Sequence, residues 1–449
     1  MEKYPELRGK YPEFVYRGYD IEKSKNETKV IYHFEIPGLS EFDPYWIFPG
    51  NAEKTDKFLL DNMVFNLGMA ELISYWKIAC PPRVRILCGG LDVRQAAWWK
   101  KLYFNGLGEF FYVNSINADS DSFMKLISEG AEKSCESDAG CSGGVLIPVG
   151  GGKDSAVTIE LLSKYGGRRV AYVINSRGAT EATVKTAGLD AYRVKRTLDK
   201  RMLELNAQGF LNGHTPFSAI VAFSSLISAS IAGLRYVALS NESSANEATV
   251  SGSSVNHQYS KSFEFENDFV NYEKEYIGSG IRYFSFLRPL SEYQIAGLFS
   301  EFTAYHDVFR SCNAGSKTDS WCGRCPKCLF VFLIMSPHIS HERLIGIFGR
   351  DMTDDKAMLE DFKKLTGLLP EKPFECVGSR NEINFAVCEA IKGFGNDELP
   401  FLFDYYKNTE LYRKYSAMKN PYEDYYNEEN LLEPEFEQIL RSALTGADK

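Results

Sequence analysis

A short apolar run, Val145-Leu146-Ile147-Pro148-Val149, ends in Gly150-Gly151-Gly152-Lys153-Asp154-Ser155 and passes into Ala156, Val157, Ile159, Leu161 and Leu162 at helical spacing. A strand, a glycine turn and a helix in this order constrain the fold more than any other feature of the chain. Three glycines let the backbone approach an anion without Cβ clashes, and the N–H groups of the turn and of the helix start face that anion. Lys153 can add a point charge, Asp154 can orient the loop or help to hold Mg2+, and Ser155 can cap the helix or bond a phosphate oxygen. The turn is not a Walker A loop, because Asp154 follows the lysine and Ile147 stands where the earlier glycine is required. Nor is it a dinucleotide fingerprint, since Ser155 replaces the third glycine.

Two further apolar runs, Arg169 to Asn175 and Leu234 to Ser240, alternate with helical patterns. This rhythm predicts a parallel sheet with helices on both faces, its ligand beyond the carboxyl ends of the strands. The uncharged stretch Pro216–Leu234, interrupted by serines, predicts a buried helix rather than a membrane span. Residues 1–133 mix strand and helix patterns, such as the alternation of Val30, Tyr32, Phe34 and Ile36, but carry no motif that translates into chemistry. The small, polar stretch from Ser134 to Gly144 is the best linker, and its Cys135 and Cys141 are expected to be free surface thiols. The expected domains are 1–133 (α+β, possible substrate-binding), 145–335 (ligand-binding α/β) and 336–449 (mostly helical).

The net charge of −9 argues against a bulk nucleic-acid or anionic-membrane binder, which needs basic surface. An apolar share of 44% and a charged share of 25% exclude wholesale disorder. Met1 to Glu6 hold no apolar core of a signal peptide, so a cytoplasmic location is expected and the sequons at Asn26 and Asn241 are read as chance. Four of the ten cysteines cluster as Cys312, Cys322, Cys325 and Cys328. Such spacing closes a tetrahedral structural Zn2+ site, and an iron–sulfur cluster uses a similar one.

Gly150–Ser155 resembles the pyrophosphate loop of the ATP pyrophosphatase (PP-loop) superfamily, with Gly150 in place of the first serine of Ser-Gly-Gly-x-Asp-Ser. The cysteine cluster resembles the zinc site of the 7-cyano-7-deazaguanine synthases, which are also PP-loop enzymes. Six segments together resemble a single family, the UDP-N-acetyl-α-D-muramoyl-L-alanyl-L-glutamate epimerases of the MurL type. They are Leu107–Tyr112, Gly150–Ser155, Ser240–Glu247, Val255–Ser262, Trp321–Cys328 and Lys372–Gly378.

The resemblance implies a PP-loop α/β fold over 145–335, of the adenine nucleotide alpha hydrolase-like type. It implies ATP, Mg2+ and a structural Zn2+, a UDP-muramoyl dipeptide substrate, and inversion of that substrate's terminal L-Glu in peptidoglycan precursor synthesis. The chemistry coheres. The glutamate nitrogen is an amide and cannot form an imine, so the α-proton becomes acidic only once the carboxyl is activated, for instance by adenylation. By this implication Gly150, Gly151, Gly152, Lys153 and Ser155 hold pyrophosphate, with Asp154 near Mg2+. Asn175 lies near the adenosine, Asn241 and Glu242 face the phosphates or the acyl group, and Arg288 meets a phosphate. Cys376 is the first candidate for the α-proton base, with His257, Tyr259 and Lys261 as alternatives. The alternative function is a PP-loop enzyme that modifies a nucleobase or tRNA. A nucleotide-binding adaptor with a zinc knuckle is the non-enzymatic alternative.

Overall fold

The computed structural model describes residues 3–133, 138–246, 259–373, 375 and 377–445. Its eleven described strands are β1 (Glu13–Lys23), β2 (Glu27–Ile36), β3 (Ser40–Phe42), β4 (Tyr45–Pro49), β5 (Arg83–Ile86), β6 (Lys125–Ser128), β7 (Val145–Pro148), β8 (Arg169–Ile174), β9 (Ala191–Thr197), β10 (Tyr236–Leu239) and β11 (Arg282–Ser285). They form one mixed sheet in the order β11-β10-β7-β8-β9-β4-β2-β1-β5-β6, with β3 paired to β2. The protein is therefore a mixed α/β structure built on a large central sheet.

From β11 to β9 every neighbouring pair is parallel. β8 and β9 extend one way from β7, whereas β10 and β11 extend the other. The order reverses between β7 and β10, and such a switch point opens a crevice beyond the carboxyl ends of the strands. Both faces of β7, β8 and β10 are buried, as the inner strands of a parallel sheet require. Leu146, Val170, Tyr172 and Val237 enter one core, shared with residues 11–124 and the helix Phe217–Ala232. Val145, Ile147, Ala171, Val173 and Ala238 enter the other, built with the helices after residue 290. The expected buried helix in 216–234 is this Phe217–Ala232 helix.

The sheet does not stop at the linker. β4 pairs antiparallel with β9 through Tyr45↔Thr197, Trp46↔Arg196 and Ile47↔Lys195. A buried ion pair fastens this seam: Arg196 donates to both carboxylate oxygens of Glu71, at 2.6 and 2.7 Å. Trp46 Nε1 adds a third bond to the same carboxylate, at 2.7 Å. Ser134, Cys135, Glu136 and Ser137 lie outside the described residues. Gly143 and Gly144 accept hydrogen bonds from the N–H groups of Arg235 and Tyr236, so the end of the linker is laid against β10. Cys141 is a free, half-buried thiol.

Candidate active site

The glycine turn follows β7 at the switch point. Gly151 sits at φ +84°, and a Cβ there would lie 3.0 Å from the backbone of Ala179 and Thr180, at the start of the helix Gly178–Ala187. Gly150 has open space on its Cβ side. Gly152 is the N-cap of the helix Lys153–Leu161, and no side chain caps that helix. Of the two roles open to Ser155, the cap is not taken: its Oγ donates to Gly152 O at 3.0 Å, because it stands one turn inside. The helix start thus keeps backbone donors for an anion.

Lys153 departs from its expected role. Its ammonium is buried and bonded to both Asp154 and Glu292, so it does not stand as a point charge over the loop. Burial opposes the charge of Lys153, but the two carboxylates outweigh it and hold its pKa above the ordinary value. Burial also opposes ionisation of Asp154, and Lys153, Lys327 and Lys261 overcome it, lowering its pKa. Glu292 is pushed up to about 8, first by burial, then by Asp154 and Glu242, against the pull of Lys153 and Lys327. Glu382, which accepts from Glu292 N at 2.6 Å, is also raised by burial. Carboxylates therefore crowd this edge, and burial with Asp154 and Glu242 makes Glu292 hard to ionise. A cluster with that excess of acid suits a divalent cation.

Asn175 closes β8 at φ +51°. Its side chain exchanges two hydrogen bonds with the backbone of Arg196, both 2.8 Å, and so locks the ends of β8 and β9 together. After β10, Asn241 Nδ2 donates to Ser285 Oγ at 3.0 Å, and Glu242 is buried. Arg288 is a second departure. It is fully buried, pairs with Glu266 at 2.9 Å and donates to the carbonyls of Glu242 and Lys261. These partners engage the guanidinium inside the protein, where it holds the post-β10 segment and the Lys261 turn rather than facing an open phosphate site. Tyr259 is buried, packed on Phe265. His257 and Cys376, expected at the α-carbon, lie outside the described residues.

The four cysteines converge. Cys312 and Cys325 Sγ lie 3.6 Å apart, Cys322 and Cys328 3.6 Å, and Cys325 and Cys328 3.5 Å. All four sulfurs fall within 4.8 Å of one another. A tetrahedron with Zn–S bonds of about 2.3 Å has edges of about 3.8 Å, so the set fits a closed zinc site. The cluster also buttresses the glycine turn: Arg310 N, two residues before Cys312, donates to Gly151 O at 2.7 Å.

Sequence reasoning gave His214 no role, yet its Nδ1 lies 3.3 Å from Glu109 Oε2. The two are 105 positions apart, so no local signal announces the pair.

Fold and site together define an α/β protein with an uncapped glycine turn at the switch point of its parallel strands. Residues 6–286 match the MurL N-terminal domain and residues 308–407 the MurL C-terminal domain. Three curated relatives carry the name UDP-N-acetyl-alpha-D-muramoyl-L-alanyl-L-glutamate epimerase. That of Xanthomonas oryzae pv. oryzae is 35% identical over 70% of this chain and 71% of its own. The Salinispora tropica protein is 36% identical over 82% of both chains, and the Micromonospora protein 34% identical over 82% of this chain and 84% of its own. No solved structure matches. The chain belongs to the MurL family, and it is an epimerase of an amino-acid residue.

Proposed function

We propose that this protein inverts the terminal L-Glu of UDP-MurNAc-L-Ala-L-Glu to D-Glu, in the cytoplasm, for peptidoglycan synthesis. Activation is by ATP through an acyl-adenylate, with release of pyrophosphate and finally AMP. The observation that carries the reading is the uncapped, glycine-lined helix start at the switch point, in a chain whose relatives bear the epimerase name. We place the site in a PP-loop domain within residues 145–335, with 1–133 as a wall for the UDP-sugar peptide. Among the described residues no helix is long and apolar enough to cross a membrane.

Gly150, Gly151, Gly152 and Ser155 would hold the pyrophosphate end, their N–H groups stabilising its charge as it leaves. Asp154, kept ionised by Lys153, would hold Mg2+, which supplies charge neutralisation there. Lys153 itself keeps Asp154 and Glu292 in register. Asn175 would border the adenosine, and Asn241 and Glu242 the acyl group. Zn2+ would be held by Cys312, Cys322, Cys325 and Cys328 as a brace for the turn. Once adenylated, the carboxyl no longer carries the anionic charge that resists an enolate. The α-proton then leaves to a base on one face, and an acid on the other returns one.

The test is incubation with UDP-MurNAc-L-Ala-L-Glu, ATP and Mg2+ in D2O, followed by pyrophosphate assay and chiral analysis of the hydrolysed glutamate. Deuterated D-Glu with AMP and pyrophosphate is expected. Turnover of ATP with unchanged L-Glu would refute the epimerisation, and D-Glu without ATP consumption would refute the adenylate.

A further inference from the structure

An aspartate that holds a divalent cation needs its oxygens for that cation, and a neighbouring ammonium competes for them. The glycine turn has this competition built in, because Lys153 and Asp154 adjoin in the chain and bond to each other. An ammonium has three donors, however, and Lys153 gives a second one to Glu292. The lysine is therefore shared between two acceptors that lie 138 positions apart in the chain.

The three side chains differ in access. Those of Lys153 and Glu292 are only 4% and 3% exposed, whereas that of Asp154 is 29% exposed. Asp154 is the member that a ligand at the turn can reach. Glu292 is closed to such a ligand, so its effect on one passes through Lys153.

Glu292 is itself held in place from two helices. It is the first residue of the helix Glu292–Glu301, where Ser291 and Gln294 form a reciprocal cap. Its N–H donates to Glu382 Oε1 at 2.6 Å. The other oxygen of Glu382 accepts from Ser379 N at 2.8 Å and from Ser379 Oγ at 2.6 Å, at the start of the helix Arg380–Phe394. Gly378 packs closely on the glutamate stem, since a Cβ there would lie 3.1 Å from Glu292 Cγ and 3.1 Å from the Phe330 ring. Support of this kind fixes the Glu292 carboxyl where the lysine must meet it.

We propose that Glu292 is a positioning residue that holds Lys153 partly off Asp154, and so sets how readily Asp154 takes its divalent cation. This rests on the reading of Asp154 as the cation-holding residue. Without Glu292 the ammonium turns wholly to Asp154 and competes more strongly with the cation. The bond to Lys153 asks only for an acceptor oxygen, which the amide of a glutamine also offers.

The experiment measures Mn2+ uptake by the full chain without ATP, by electron paramagnetic resonance of the free ion. Beside it runs the Mg2+ dependence of pyrophosphate release with ATP and UDP-MurNAc-L-Ala-L-Glu. Glu292→Leu should weaken Mn2+ binding about tenfold and raise the Mg2+ needed for half-maximal release by a similar factor, with saturating Mg2+ recovering the rate. Glu292→Gln should bind Mn2+ within about threefold of the unaltered chain. Lys153→Met removes the competitor and should bind Mn2+ more tightly. Adding Glu292→Leu to Lys153→Met should then change the affinity no further, and this pair, which replaces two buried charges by apolar side chains, keeps the comparison open where Glu292→Leu alone is too unstable. Unchanged Mn2+ affinity in a Glu292→Leu chain that keeps its circular dichroism overturns the proposal. So does an equal loss in the Lys153→Met background, which would make Glu292 a ligand in its own right. An unaltered chain that takes up no Mn2+, or an Asp154→Asn chain that takes it up equally, overturns the placement of the cation at Asp154, and the proposal with it.

Discussion

Two adjacent glycines of the turn should respond to alanine in opposite ways. At Gly151 the backbone has φ +84°, and a side chain in the left-handed region costs about 1–2 kcal/mol. The added Cβ would also lie 3.0 Å from the backbone carbon of Ala179 and 3.1 Å from its Cβ. Carbon atoms sit comfortably at about 3.5–4.0 Å, so the first turn of the Gly178–Ala187 helix must retreat. Overpacking of that kind adds about 1–3 kcal/mol. Gly151→Ala should therefore lose about 2–5 kcal/mol. Gly150 has neither a positive φ nor an atom within 4 Å of a Cβ. Alanine there should be neutral or add about 0.4–1 kcal/mol by restricting the unfolded chain. Its methyl group would nonetheless enter the open side of the turn, where the pyrophosphate is proposed, and pyrophosphate release should fall about 100-fold. Gly150→Ser, which restores the superfamily hydroxyl, should lose less. Urea denaturation followed by circular dichroism, beside a pyrophosphate-release assay, checks both. Equal stability changes at the two positions would refute the geometric argument, and a fully active Gly150→Ala would refute the placement of the anion.

Glu71→Ala leaves Arg196 and Trp46 Nε1 without their shared carboxylate, and should cost about 3–5 kcal/mol in urea denaturation. Replacing Glu71 and Arg196 together by leucine and methionine should recover most of that loss. Elemental analysis should find about one zinc per chain, and Cys328→Ser should lose it and weaken pyrophosphate release, since Arg310 N holds Gly151 O. Iron with sulfide would refute zinc. The Glu292 pKa rises from 4.5 when unfolded to about 8, so the folded state keeps a proton that the unfolded chain releases. The contribution is full below 4.5 and is lost as pH climbs to 8. Without added Mg2+ the protein should therefore lose stability relative to Glu292→Gln between about pH 5 and 8, and the opposite trend would refute the raised pKa.

What the sequence revealed was local. Strand β2 shows its buried face as the alternation of Val30, Tyr32, Phe34 and Ile36. β7, the turn and its helix are contiguous, and the cysteine spacing is compact enough to read directly. β9 escaped notice because Ala191–Thr197 is charged and mostly half-exposed, with Val194 alone buried. Its pairing with β4, some 145 residues away, leaves no trace in either segment. Lys153 is expected at the phosphate from its place in the turn, and Arg288 from the resemblance to the PP-loop enzymes. Glu292, 139 residues from Lys153, redirects the first, and Glu266 with two backbone carbonyls redirects the second. A cation's partner is a tertiary fact, and residue type alone does not supply it.

The same reasoning changes what the first 133 residues are for. Read alone, they hold no chemical motif. Yet Lys77, Glu109 and Asn114 all act on the loop at 212–215, which belongs to the parallel half of the sheet. The seam from β4 to β9, with Glu71 and Arg196 across it, fixes the distance between these walls. A cut through the linker would separate His214 from every one of those supports while leaving the glycine turn and the cysteines together. On the proposed function, the glycine turn would then keep its place for pyrophosphate while the wall supplied by 1–133 is lost. On that reading the proposed ATP-dependent activation and the inversion draw on different halves of one sheet. Lys77→Met in the intact chain puts this to the test: pyrophosphate release should survive and interconversion should fall by about tenfold or more. Loss of both in the same proportion would show that the two halves do not share the work in this way.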